Sequence, residues 1–357
     1  FAAMCRECNI GFIGPSPEAI SMSGDKAVCR AKVKAAGAPV VPGSEGLIKN
    51  PVDALAIAKQ IGFPVLVKAS AGGGGKGMRI AHNDVALQKA VTMASVEAQA
   101  AFGDGGVYLE KFLENARHVE IQVLADEHGR IITLGERECT IQRRHQKLIE
   151  ESPSMRLTNS MRAKMSKAAY RAAKAMGYTN AGTAEFLVAQ DGSFYFIEFN
   201  ARIQVEHPVT EEVTGIDLVK EQIRIAAGEP LRTTSPRFHG HAIEARVYAE
   251  DPDNNFSPSP GTITKCHIPG GPGIRVDSHI FPGYTVPRYY DSLLAKVIAH
   301  GNDRDEAINR LAGALQEFTV VGVKTTAQLC ARILMSDRFR RGDLTPDLID
   351  QFVTKPK

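Results

Sequence analysis

Thr183-Ala184-Glu185-Phe186-Leu187-Val188-Ala189-Gln190-Asp191-Gly192-Ser193-Phe194-Tyr195-Phe196-Ile197-Glu198-Phe199-Asn200 reads as two strands joined by a turn. Asp-Gly between two such runs is the strongest short hairpin signal, because a tight turn that matches strand twist needs positive φ at its centre. A two-residue turn sets Gln190 against Ser193 and, counted outward, predicts 189 with 194, 188 with 195, 187 with 196, 186 with 197, and Glu185 directly opposite Glu198. Opposed like charges destabilise a sheet unless something neutralises them. A divalent cation would do so. Oxygen-only ligands select Mg²⁺ or Mn²⁺, and Mg²⁺ commonly sits between one or two carboxylates and the phosphates of a nucleotide. Paired glutamates on a solvated sheet face are the plain alternative.

Beyond the hairpin the alternation continues. Glu198, Asn200, Arg202, Gln204 and Glu206 share one face if the chain stays extended. Arg202 then offers planar donors to a carbonate-like anion, with Glu206 beside it as a general base. Pro208 ends that strand and starts a helix. Upstream, Ala71-Gly72-Gly73-Gly74-Gly75-Lys76-Gly77 offers backbone N–H groups free of side chains, able to approach phosphate oxygens closely. A P-loop needs Lys-Ser/Thr directly before a helix, and the dinucleotide fingerprint also needs a helix next. Here strand-like residues resume after the glycines. A strand–loop–strand flap, with Lys68 on the preceding strand, fits a lid over a triphosphate; a flexible hairpin tip is the bland alternative.

The rest of the chain narrows the class. At 357 residues, with 43% hydrophobic and 23% charged residues and a net charge of +3, it is a globular sequence rather than a disordered one. No apolar run approaches a membrane span, and residues 1–30 carry no export signal. The small positive balance makes no basic stripe for nucleic acid. A basic cluster, Gln142-Arg143-Arg144-His145-Gln146-Lys147, is offset by Glu136, Glu138, Glu150 and Glu151, which suits a small anion. Six cysteines are too sparse for a disulfide framework and fit a reducing cytoplasmic or organellar compartment. The lone Cys5-Arg6-Glu7-Cys8 lacks the second pair a zinc site wants.

Periodicity and turn signals predict a buried strand at Ile10–Gly14, one helix over residues 17–36 broken near Ser23-Gly24, and a helix at 51–61. A strand at 64–69, a helix at 84–101 and a strand at 107–110 follow. Strands at 118–126 and 130–135, a helix at 158–176, the hairpin, and a helix at 214–227 come next. Short strands among turns fill 251–287, and helices at 303–317 and 324–335 end the chain. The expected division is 1–42, 43–112 as a small lid, and 113–357 as an α+β body.

Taken together these stretches resemble the biotin carboxylases of the ATP-grasp superfamily. The resemblance rests on Phe12-Ile13-Gly14-Pro15, Gly24-Asp25-Lys26, Lys68-Ala69-Ser70 with the glycine loop, Glu110 to Glu114, and Arg117 to Gln122. It continues through Gln142 to Lys147, Gly182 to Phe186, Phe196 to Thr210, Gly215 to Ala227, Ser257 to Gly261, and Tyr289 to Ser292. It implies a mixed α+β and α/β ATP-grasp fold with a mobile glycine-rich lid, residues 1–42 being the remainder of an N-terminal α/β domain. ATP and bicarbonate would give carboxyphosphate, whose carboxyl group passes to biotin on a carrier protein or domain. Lys26 and Lys68 would hold phosphates beneath Gly74, Gly75, Lys76 and Gly77; Glu110, Lys111 and Leu113 would line the adenine pocket, completed by His118, Gln142 and His145. Glu185, Glu198 and Asn200 would bind Mg²⁺ or Mn²⁺. Lys147, Arg202, Gln204 and Val205 would bind bicarbonate, with Glu206 as base and Arg275 stabilising the enolate form of biotin. The implied partners are the biotin carboxyl carrier, a carboxyltransferase component and a second copy of the chain. Another ATP-grasp ligase, or a non-catalytic nucleotide-binding or assembly module, are the alternatives.

Overall fold

The computed structural model describes residues 1–48, 50–70, 77–233 and 235–353, which form two compact units. The first unit comprises Phe1–Leu134, Asn159–Gln204 and Leu218–Thr234. Its N-terminal part is helical: Ala2–Glu7, then Pro17–Gly24 and Lys26–Ala35. The break between the last two has a cause, since the Asp25 carboxylate accepts from the N–H groups of Ala27 and Val28 and so caps a new helix. Ile10–Gly14 is not the expected buried strand: it forms no regular element, and Ile10 and Ile13 are exposed. A five-residue apolar run specifies burial only where a neighbour exists to pair with it.

Helices Pro51–Ile61 and Asp84–Phe102 pack with a three-stranded antiparallel sheet in which Val65–Ala69 lies between Arg79–Ala81 and Val107–Lys111. Asn50 and Asn83 cap the two helices through their side-chain oxygens. Ala54, Val65, Val67, Leu87, Ala94 and Leu109 make a core of their own, with Leu87 only 1% exposed. Gly43 is required here, because a Cβ would lie 2.2 Å from the Leu109 carbonyl oxygen. Elsewhere in the unit, strands Arg117–Ala125, Asn180–Val188 and Phe194–Asn200 run antiparallel in that order. Helix Asn159–Ala175 lays Met165, Ala168, Ala169 and Ala172 against the first two, its small side chains allowing close approach.

The second unit comprises Gly135–Thr158, Val205–Asp217 and Ser235–Lys357. Strands Ile274–Ser278, Leu293–Gly301, His241–Tyr248, Gln146–Ser152 and Ile131–Arg143, the last entering from the first unit, follow one another in the sheet. Helices Arg304–Glu317 and Ala327–Leu334 cover it over a core that includes Ile243, Val247, Val297, Ile308, Leu311 and Ile333. His241–Tyr248 and Leu293–Gly301, like Gln146–Ser152, are not among the expected elements, and Ile131–Arg143 runs past its expected end at 135. The first alternates Ile243, Ala245, Val247 with Glu244, Arg246, Tyr248, yet every residue in it is buried. Among the described residues no helix is long and apolar enough to cross a membrane.

Candidate active site

Glu185 is the register partner of Glu198, as expected, but the route to that pairing differs. The turn is a residue longer than a two-residue hairpin. Ala189 N–H donates to the Ser193 carbonyl at 2.8 Å, and Val188 pairs with Phe194, Leu187 with Tyr195 and Phe186 with Phe196. The Asp191 carboxylate accepts from both the N–H and the hydroxyl of Ser193, and Gly192 takes φ +85, which favours the three-residue form over the tighter one. Ile197 is then an extra residue in its strand, and this irregularity restores the pairing of the glutamates. On the other side of Glu185, its register partner in Arg117–Ala125 is Glu120. Three glutamates therefore line up across three neighbouring strands.

Donors surround this row. Glu185, buried, accepts on Oε1 from Asn200 Nδ2 at 2.7 Å and Gln204 Nε2 at 3.1 Å, and its Oε2 lies 2.9 Å from His118 Nε2. Glu198 Oε2 is paired with Lys26 Nζ at 2.7 Å, with 31% of its side chain exposed. The donor set fits a hard divalent cation: two carboxylates plus Asn200, whose amide nitrogen is turned to Glu185. His118, Glu120 and Glu185 also bring one ligand atom each within 4.8 Å of one another.

The phosphate-side residues form a second set in the same unit. Lys68 Nζ is buried and pairs with Glu110 Oε2 at 2.9 Å, and Arg30 Nε lies 3.4 Å from Glu110 Oε1. Burial favours the neutral amine, but Glu110 and Tyr108 outweigh it and hold Lys68 more firmly protonated than an ordinary lysine. Removing one partner of such a pair typically costs about 3–5 kcal/mol. Lys111 Nζ donates to the carbonyls of Gly62 and Phe63, and Leu113 is half-buried. Gly77 has φ +69 and a Cβ there would lie 2.8 Å from that of Ala69, so the flap's exit needs glycine. Gly74, Gly75 and Lys76 lie outside the described residues.

The extended run expected over 198–206 stops at Asn200. Glu206 has φ −80 and ψ 12 and sits at the N-cap of helix His207–Thr214, where Pro208 pre-sets the helical turn. Asn200 and Gln204 turn to Glu185, and Arg202, exposed, donates to Gln204 Oε1 at 3.1 Å. Glu206 belongs to a different cluster, built within the second unit.

That cluster begins at a two-residue turn, Arg144 and His145, whose φ values of 48 and 67 have the primed geometry without glycine. The turn places Gln142 opposite Lys147; Gln142 Nε2 donates to the Cys139 carbonyl, and His145 is exposed at the tip. Lys147 Nζ donates to Glu206 Oε1 at 2.5 Å and Arg246 Nη2 to Glu206 Oε2 at 2.8 Å. The carbonyl of Val205 accepts from Lys296 Nζ at 3.1 Å. Burial pushes the Glu206 carboxyl up, but Lys147, Arg246 and Arg137 together outweigh it and hold it well below the usual carboxylate range.

Arg275 is elsewhere. Its guanidinium is committed to both oxygens of Asp277, at 2.8 and 2.9 Å, and to Glu211 Oε2 at 2.7 Å, and these carboxylates hold it more firmly protonated than usual. The arginine that faces Glu206 is Arg246, which the sequence reading missed. The available signal was a charged pair, Glu244 and Arg246, inside an otherwise apolar stretch. Glu120 was missed as well, because its pairing with Glu185 joins residues far apart in the chain.

Residues 25–234 match the family model described as carbamoyl-phosphate synthase L chain, ATP binding domain, and residues 244–351 that of the biotin carboxylase C-terminal domain. The biotin carboxylase of Nostoc sp. is 51% identical over 353 residues, covering 98% of this chain and 79% of that one. The chain belongs to the biotin carboxylases. Its backbone agrees: the biotin carboxylase domain dimer of Hydrogenobacter thermophilus 2-oxoglutarate carboxylase, solved with MgADP, ADP and bicarbonate, superposes with a TM-score of 0.96 at 48% identity, over 99% of this chain and 80% of that one. Biotin carboxylase 1 of Bacillus subtilis is 51% identical over 355 residues, 99% of this chain and 79% of that one. The family's fold is ATP-grasp, and biotin carboxylases use ATP, Mg²⁺, bicarbonate and biotin.

Proposed function

We propose that the chain carboxylates biotin with bicarbonate at the expense of ATP, through carboxyphosphate, and that its residues divide the work between two clusters. The observation that carries the reading is the pairing of Glu185 with Glu198, with Lys26 on the same carboxylate. Glu185, Glu198 and Asn200 would hold Mg²⁺, with Glu120 beside Glu185 on the neighbouring strand. Bound Mg²⁺ offsets the charge of the phosphates and of the phosphoryl group in transfer. Lys26 and Lys68 supply positive charge to those phosphates. A flap of Gly74, Gly75, Lys76 and Gly77 would cover them and exclude water, and Glu110, Lys111, Leu113 and His118 would contact the nucleotide.

In the second cluster Lys147 binds bicarbonate and Glu206 takes its proton. As the anion draws donors from Lys147, the hold on Glu206 loosens and its basicity rises, which is what a general base needs. Arg246 stabilises the enolate form of biotin, the role the resemblance first gave to Arg275. The partners that follow are a biotin carboxyl carrier protein or domain, a carboxyltransferase component and a second copy of the chain. Six free thiols suit a reducing compartment, cytoplasm or organelle matrix.

The test is bicarbonate-dependent ATP hydrolysis stimulated by free biotin. Glu206→Gln is expected to lose the stimulation by at least about 10²-fold with Mg-ATP affinity retained. No stimulation in the unmodified protein would favour a nucleotide-binding or assembly module.

A further inference from the structure

A second pair of opposed glutamates lies away from the hairpin. Glu244 of His241–Tyr248 is the register partner of Glu150 of Gln146–Ser152, and both are 0% exposed. Arg246 Nε donates to Glu150 Oε1 at 2.5 Å, whereas Glu150 Oε2 and both oxygens of Glu244 have no hydrogen-bond donor among the described residues. Charged and titratable groups face the pair from every side. Arg246 and Tyr248 lie on the strand of Glu244, Lys147 on the strand of Glu150, Lys296 on Leu293–Gly301, Glu206 at the start of His207–Thr214 and Cys330 on Ala327–Leu334. Those cations are already engaged: Lys147 with Glu206, Arg246 with Glu150 and Glu206, and Lys296 with Asp277 at 3.3 Å. Among the described residues none of them hydrogen-bonds or ion-pairs with Glu244, and the attraction of Lys296 and Arg246 at longer range is outweighed by burial and by Glu150. An isolated buried carboxylate of this kind neutralises itself by keeping its proton.

We propose that Glu150 and Glu244 share a single proton across the sheet, and that the pair so neutralised is a positioning element that keeps Arg246 on Glu206. Arg246 bridges the two acids: Nε and Nη2 both lie 2.5 Å from Glu150 Oε1, and Nη2 also donates to Glu206 Oε2 at 2.8 Å. A full second charge at Glu244 would compete for that guanidinium and draw it from Glu206. One proton prevents this. Burial and then Glu150 push Glu244 well above the usual carboxylate range; burial, opposed by Arg246, takes Glu150 up to about 7. Neither acid is assigned a contact with substrate. The consequence for biotin rests on the function proposed above; the shared proton does not.

A carboxyl raised in the folded state keeps its proton where the unfolded chain, at about 4.3, has lost it. Folding stability therefore falls as pH rises above that value and levels off beyond the folded value. Glu244→Gln cannot ionise and escapes the loss. Infrared difference spectroscopy at neutral pH is expected to show a protonated-carboxyl C=O band in the wild type, shifted in D₂O and absent from Glu244→Gln. The melting midpoint of Glu244→Gln should gain on the wild type by about 2–4 °C between about pH 5 and about pH 8.5. Its KM for biotin should stay flat at alkaline pH, where that of the wild type rises, with kcat little changed at neutral pH. No such band in the wild type, or a midpoint gap that does not change with pH, overturns the shared proton. If Glu244→Gln does not fold, Glu150→Gln must lose the same band. The band without the KM difference leaves the proton in place and overturns the positioning of Arg246. Wild-type protein that shows the band but no biotin-stimulated hydrolysis overturns the functional reading alone.

Discussion

Glu185 with Glu198, and Glu150 with Glu244, are both glutamates set face to face by strand register, and the chain surrounds them differently. The first pair has Lys26, His118, Asn200 and Gln204 directed at its oxygens, and Glu198 reaches solvent. The second pair is sealed, with Arg246 its one hydrogen-bond donor among the described residues and that donor shared with Glu206. Opposition alone therefore does not define a metal site. Access to solvent and the supply of donors determine whether the surplus charge is met by a cation that can come and go or by a proton that stays.

Two substitutions sharpen that contrast. Arg246→Ala removes the link between the buried pair and Glu206, and biotin-stimulated hydrolysis should fall by about 10²–10³-fold, the loss expected of a charge-stabilising group. Arg275→Ala breaks the pairings with Asp277, Glu211 and Glu212 and should leave turnover within the same order of magnitude. The reverse ranking would return the biotin role to Arg275. A smaller effect is expected at the accessible pair. Lys26 and a cation compete for Glu198 Oε2, so Lys26→Met should gain more thermal stability from Mg²⁺ alone than the wild type does, by about 2–4 °C. Equal shifts would mean that Lys26 is not what offsets the glutamates.

The local signals carried most of the secondary structure. Caps at Asn50, Asn83 and Asp25, and Gly103 at φ +75, sit where spacing places helix ends. The hairpin shows how a correct pairing can rest on incorrect steps: a turn one residue longer and an extra residue at Ile197 offset one another, so the Glu185–Glu198 pairing was legible although the pairs between were not. The extended run to Glu206 failed at Asn200, where the strand ends and Asn200 and Gln204 turn to Glu185, well before the helix that Pro208 starts and Glu206 caps. Glu120, Arg246 and Glu244 were not legible as site residues. Their significance depends on which distant strands lie beside them, and on burial that turns an apparent polar face inward. The arginine of the second cluster could be identified only from the groups it touches.

Titration calorimetry of Mg-ATP into wild type, Glu198→Gln and Glu244→Gln tests the central distinction most directly. Affinity should fall by about tenfold or more in Glu198→Gln, about 1.4 kcal/mol, and remain at the wild-type value in Glu244→Gln. Unchanged affinity in Glu198→Gln, or an equal loss in both, would contradict it.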